Sequence, residues 1–99
     1  MTFRLNNLGY NLPDLARRLG YKPIATTPGG ELNCVRPLSG PYPRFHVYLK
    51  ADPKLLTFNI HLDQKKPSYE GATAHSGDYD SSVVQGEAER IKELIMRYS

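Results

Sequence analysis

Cysteine occurs once in this chain, at position 34, and tryptophan does not occur at all. A single thiol excludes an intramolecular disulfide and any C-x-x-C redox or metal motif. Within a strand-like pattern Cys34 reads instead as a small buried hydrophobe. Long apolar runs are also missing: nothing approaches the roughly 20 residues of a membrane-spanning helix. The opening Met1 to Leu5 lacks the apolar stretch of a secretory signal, so a cytoplasmic protein with no membrane partner is expected. Gly29-Gly30 is not set in a phosphate-loop or dinucleotide-loop spacing. Ser76, in the run Ala74 to Asp80, has no Gly-x-Ser-x-Gly elbow around it, which argues against a serine hydrolase. There is no internal repeat and no low-complexity segment.

The 99 residues suffice for a single core, so residues 1–99 are expected to form one domain. The charge is unevenly spread: residues 1–66 hold ten Lys and Arg against four acids, and residues 67–99 hold three against six. A basic body suits a polyanionic partner.

The clearest pattern runs from Arg44 to Asp63. Residues 44–50 and 57–63 both alternate polar and apolar types and are rich in β-branched and aromatic side chains, the mark of half-buried strands. Phe45, Val47 and Leu49 share one face of the first strand, and Phe58, Ile60 and Leu62 one face of the second. Asp52-Pro53-Lys54 supplies a turn; Pro53 excludes the positive φ of the tightest hairpins, so the loop is flanked by Ala51 and Leu56. Pairing those two puts apolar opposite apolar throughout. On the polar face it sets Arg44 against Asp63, His46 against His61, Tyr48 against Asn59 and Lys50 against Thr57.

Earlier in the chain, Thr2 to Leu5 is too short to decide between edge strand and lead-in. Asn11 as a cap, Pro13 in the first turn and Asp14 near the N-terminus start a helix carrying Leu12, Leu15, Ala16 and Leu19, and Gly20 ends it. Residues 21–27 offer a short strand restricted by Pro23 and Pro28. Glu31 to Leu38 reads as a strand with Leu32 and Cys34 on one face. Residues 39–43 turn into the central hairpin. Residues 64–80 have no helical or strand period; Tyr69 and Tyr79 favour an ordered loop draped over the sheet. Ser81 or Ser82 then starts a last helix, with capping-box spacing from Ser82 to Gln85. Val84, Ala88, Ile91, Leu94, Ile95 and Tyr98 form its apolar stripe, and Glu87, Glu89, Arg90, Lys92, Glu93 and Arg97 mostly fall outside it. The expected fold is α+β: helix, three strands in an antiparallel meander, helix, with both helices on one face. That leaves the histidine face uncovered by helices.

Two neighbouring imidazoles suit acid–base chemistry near neutral pH, since both cannot be charged cheaply. Arg44, Tyr48, Lys50, Asn59, Lys65 and Lys66 are the candidates to hold a ligand around them. A metal site from His46, His61 and His75, with Asp63, Asp78 or Asp80, is a further candidate, imidazole being a common zinc ligand. Nothing identifies a cofactor.

The helix closing on Leu19-Gly20-Tyr21, Gly29-Gly30 before a strand, and Phe45-His46-Val47-Tyr48 followed by Ile60-His61-Leu62 carry a resemblance. Over most of residues 12 to 98 the chain resembles the small HicA-type RNA-cleaving toxins, whose fold is similar to the double-stranded-RNA-binding domain. The resemblance implies RNA cleavage, with His46 alone matching the catalytic position. Those toxins hold that histidine in a Gly-Ser-His-His context, whereas Pro43-Arg44-Phe45 precedes His46 here, and residues 64–80 are an added loop. The expected function is RNA or other phosphate binding on the polar hairpin face, with His46 as base and His61 as acid if RNA is cut. The alternative is a non-catalytic domain docking a protein partner on its open sheet face or edge.

Overall fold

A computed structural model describes residues 1–64, the backbone of 77–78, and residues 81–98. The hairpin forms as its alternation requires. Strand β4 (Arg44–Ala51) pairs antiparallel with β5 (Leu55–Asp63), and the register joins Ala51 to Leu56, His46 to His61 and Arg44 to Asp63. Asp52 closes the loop: its Oδ1 accepts from the backbone N–H of Lys54 at 2.8 Å and of Leu55 at 2.7 Å. A short acidic side chain thus satisfies turn donors that the Pro53 ring cannot replace.

The sheet extends further than a three-stranded meander. β3 (Leu32–Pro37) pairs with β4, and β2 (Lys22–Thr26) with β3, across a bulge between Pro23 and Ala25. β1 (Thr2–Asn6) pairs with β5 on its free edge, giving the order β1-β5-β4-β3-β2. The two-residue β6 (Gly77–Asp78) continues along β5 at Leu62 and Asp63. The segments at 2–5 and 21–27 are too short for pattern alone to decide; pairing with longer strands decides them. β2 is an outer edge, and its proline and bulge blunt it against adding a further strand.

Helix α1 (Leu12–Arg18) starts where Asn11 Oδ1 accepts from the Asp14 N–H at 3.1 Å. It stops at Gly20, whose φ of +90° is costly for any residue with a Cβ. Helix α2 (Ser82–Tyr98) is capped by Ser81, whose Oγ accepts from the Val84 N–H at 3.2 Å. The cap therefore lies one residue before the Ser82–Gln85 spacing. Leu15, Ala16 and Leu19 from α1 and Val84, Ala88, Ile91 and Ile95 from α2 share one core with Phe45, Val47, Leu49, Leu56, Phe58, Ile60, Leu62 and Cys34. Both helices thus cover the apolar sheet face. Burying each large side chain contributes about 1.5–3 kcal/mol.

One charged residue joins that core. Glu87 on α2 is 4 % exposed. Its carboxylate accepts from Tyr21 Oη at 2.6 Å, from Arg36 at 2.8 and 3.0 Å and from Arg90 at 2.7 and 2.8 Å. Arg90 also donates to the Leu19 carbonyl at 2.7 Å, tying α2 to the end of α1. Glu87 therefore lies within the apolar stripe of α2 and not outside it, as its charge had implied. No helix among the described residues is long and apolar enough to cross a membrane.

Candidate functional site

With the helices on one side, period-two alternation leaves the other side to Arg44, His46, Tyr48 and Lys50 from β4 and Thr57, Asn59, His61 and Asp63 from β5. β3 adds Asn33 opposite Tyr48 and Val35 opposite His46; β1 adds Arg4 opposite Thr57; β2 adds Lys22 opposite Val35.

Asp63 organises the centre of this face. His46 Nδ1 lies 3.1 Å from its Oδ2, and His61 Nε2 lies 3.1 Å from its Oδ1. Arg44 Nε donates to Oδ2 at 3.4 Å, with its guanidinium over the Tyr42 ring at 4.7 Å. The imidazoles are neighbours, with ring centroids 4.7 Å apart and planes tilted by 47°. Tyr48 stacks on His46 at 4.9 Å. The other ring nitrogen of His46, Nε2, contacts Asn33 Oδ1.

The face is less open at its centre than the sequence implies: His46 and His61 are each 9 % exposed. Tyr48 and His61 flank the His46 ring, and Asn33 and Asp63 meet its two nitrogens. Burial pushes both imidazole pKa values below their ordinary range, which outweighs the opposite pull of Asp63. Both rings therefore favour the neutral form, in which one nitrogen of each offers a lone pair to a proton or a metal.

Of the residues anticipated from sequence, the structure brings together His46, His61, Arg44 and Tyr48, with Asn59 beside Tyr48 in the register. Lys50 is exposed on the same face, toward the turn end of the hairpin. Lys65, Lys66, His75 and Asp80, and the anchoring role of Tyr69 and Tyr79, lie outside the described residues; Asp78 is described only as backbone. Asn33 was missed, although alternation with Leu32 and Cys34 puts it on this face. Arg4 and Lys22 were missed because their strands are short.

Fold and site together define a class: a two-layer α+β domain with a His-Asp-His cluster on the helix-free face of a five-stranded antiparallel sheet. No family model, no curated protein and no solved structure compared with the chain matches it. The function is therefore argued from the site itself.

Proposed function

We propose that this domain binds RNA, or another phosphate-bearing ligand, across the polar face of its sheet. A charge balance carries the reading. Arg4, Lys22, Arg44 and Lys50 share the face, and among the described strand residues the one carboxylate there is Asp63. That carboxylate is itself engaged by Arg44, His46 and His61. Arg4, Lys22 and Lys50 are exposed, so they meet a polyanion without first breaking a buried pair. Tyr48, half-buried between Lys50 and His46, offers an aromatic ring on which a base can stack.

Cleavage would assign His46 the proton of the 2′-hydroxyl and His61 the proton of the leaving oxygen. In-line displacement puts the attacking and leaving oxygens on opposite sides of phosphorus. Here both imidazoles turn to one carboxylate with centroids 4.7 Å apart, so they act together from one side. Binding is the reading that this arrangement favours.

The test is titration of a labelled single-stranded RNA at several salt concentrations. Four neutralised phosphates correspond to a loss of about 50-fold in affinity between about 50 and 200 mM salt. Lys50→Ala lowers the salt slope by about one contact. Absence of binding at low salt, or binding indifferent to salt, would sink the proposal.

A further inference from the structure

We infer that His46, His61 and Asp63 form a binding site for a divalent transition metal of the zinc class. The inference goes beyond the phosphate reading and stands on three side chains, whatever the face binds.

The first support is spacing. Ligand atoms about 2.1 Å from a metal lie about 3.0 Å apart at a right angle and about 3.4 Å apart in a tetrahedron. His46 Nδ1 and His61 Nε2 each stand 3.1 Å from a different oxygen of Asp63. The three ligand atoms all fall within 4.8 Å of one another, a spread that rotation of the rings about their χ angles can narrow. Their backbones occupy paired positions on β4 and β5, which have neighbouring strands on both sides, so the donor set is positioned in advance.

The second support is the lone-pair arrangement at His46. In the His46 tautomer that carries its proton on Nε2, that N–H donates to the Asn33 side-chain carbonyl. Nδ1 then aims its lone pair at Asp63 Oδ2, 3.1 Å away. Two acceptors face to face repel unless a cation lies between them. A proton would make a buried imidazolium; a metal ion satisfies nitrogen and oxygen together. An outer carbonyl holding the far N–H of a ligating histidine, and an outer donor on the ligating carboxylate, are the usual supports of such a centre. Asn33 fills the first role, and Arg44, 3.4 Å from Asp63 Oδ2, fills the second.

Two imidazoles and one carboxylate select a borderline ion such as Zn²⁺ or Co²⁺ over Mg²⁺ or Ca²⁺, which prefer oxygen alone. Three protein ligands leave a coordination position for water or for a ligand oxygen.

The experiment uses the full chain without a histidine tag, stripped with EDTA, dialysed, and titrated with Zn²⁺ by calorimetry and with Co²⁺ by visible absorption. The expected result is saturable stoichiometric uptake with cobalt ligand-field bands. Affinity should fall at least about 100-fold in His61→Gln and in Asp63→Asn, and about 10-fold in Asn33→Ala, which removes no metal ligand. Circular dichroism confirms that each variant is folded; Asn33→Ala keeps the test decisive if a ligand variant is not. Lack of uptake by the folded wild-type chain overturns the inference, as does uptake unchanged in the folded variants. RNA titration of the EDTA-stripped protein separates the two proposals, since loss of metal uptake with retained salt-dependent RNA binding removes the metal alone.

Discussion

Two carboxylates anchor the two faces of this sheet, and they are bound by different kinds of partner. Glu87, under the helices, is held by two guanidiniums and a phenol, groups that keep their donor protons throughout the physiological pH range. Asp63, on the helix-free face, is held by two imidazoles and one guanidinium. Imidazole gains or loses a proton near neutrality and can exchange that proton for a metal. The first cluster has one stable charge state and reads as architecture. The second can change state, which is what a site requires.

The sharpest way to break the comparison is to remove each carboxylate in turn. Glu87→Ala leaves Arg36 and Arg90 facing the core edge without their counter-charge. Loss of one partner of a buried pair costs about 3–5 kcal/mol. The two arginine side chains are 28 % and 34 % exposed, so water reaches them and the lower end, about 3 kcal/mol, is expected. Asp63→Asn should cost about 1 kcal/mol, because Asn keeps an acceptor for the imidazoles and Arg44 retains solvent. Urea denaturation of both variants at pH 7.5 measures the difference. Equal losses would mean that Asp63 is as structural as Glu87.

The same contrast explains what the sequence made legible. The hairpin register followed from alternation together with the turn: a one-residue slip would have buried Arg44, His46 and Lys50, and the Asp52-Pro53-Lys54 loop flanked by Ala51 and Leu56 selected among two-residue slips, so the His46–His61 contact was legible in the sequence. Asn33 was one inference away, yet the six residues from Leu38 to Pro43 leave the β3 register against β4 unspecified by turn chemistry. Glu87 was harder. It sits three residues after Val84 and four before Ile91, squarely on the apolar stripe, but its charge argued for solvent. Only the convergence of Tyr21 and Arg36 from distant parts of the chain on Glu87 and its helix neighbour Arg90 makes its burial tolerable. Short strands β1 and β2 were undecided for other reasons: β1 pairs with β5, some fifty residues away, and β2 is interrupted by Pro23 and a bulge.

The next effect is in pH dependence, and it separates the clusters by window. His46 and His61 have folded-state pKa values below the ordinary 6.5, chiefly through burial. The unfolded chain therefore takes up protons first as pH falls. Their contribution to stability is complete above about pH 6.5 and is lost as pH drops through the depressed folded values. Glu87 opposes its own burial with hydrogen bonds from Arg90, Arg36 and Tyr21, and its pKa ends below the ordinary 4.5. Its contribution is present above that value and is lost only in stronger acid. Urea midpoints of chelated protein should decline between pH 7.5 and 5.5, and this decline should shrink in a folded His61→Gln variant. A decline that is the same in that variant would assign it to other groups.

The smallest expected effect tests whether the Glu87 cluster is redundant. In Tyr21→Phe the hydroxyl donating to Glu87 Oε2 at 2.6 Å is lost, but Arg36 and Arg90 still supply four hydrogen bonds to the same carboxylate. The aromatic ring, 4 % exposed, keeps its packing in the core. The cost is then one hydrogen bond to a charged acceptor whose remaining donors persist, about 1 kcal/mol rather than the loss of the whole network. A melting-temperature series reads it directly. If Tyr21→Phe lowers stability as far as Glu87→Ala, the phenol rather than the arginines holds the carboxylate in place, and the two carboxylates then differ less than their partners imply.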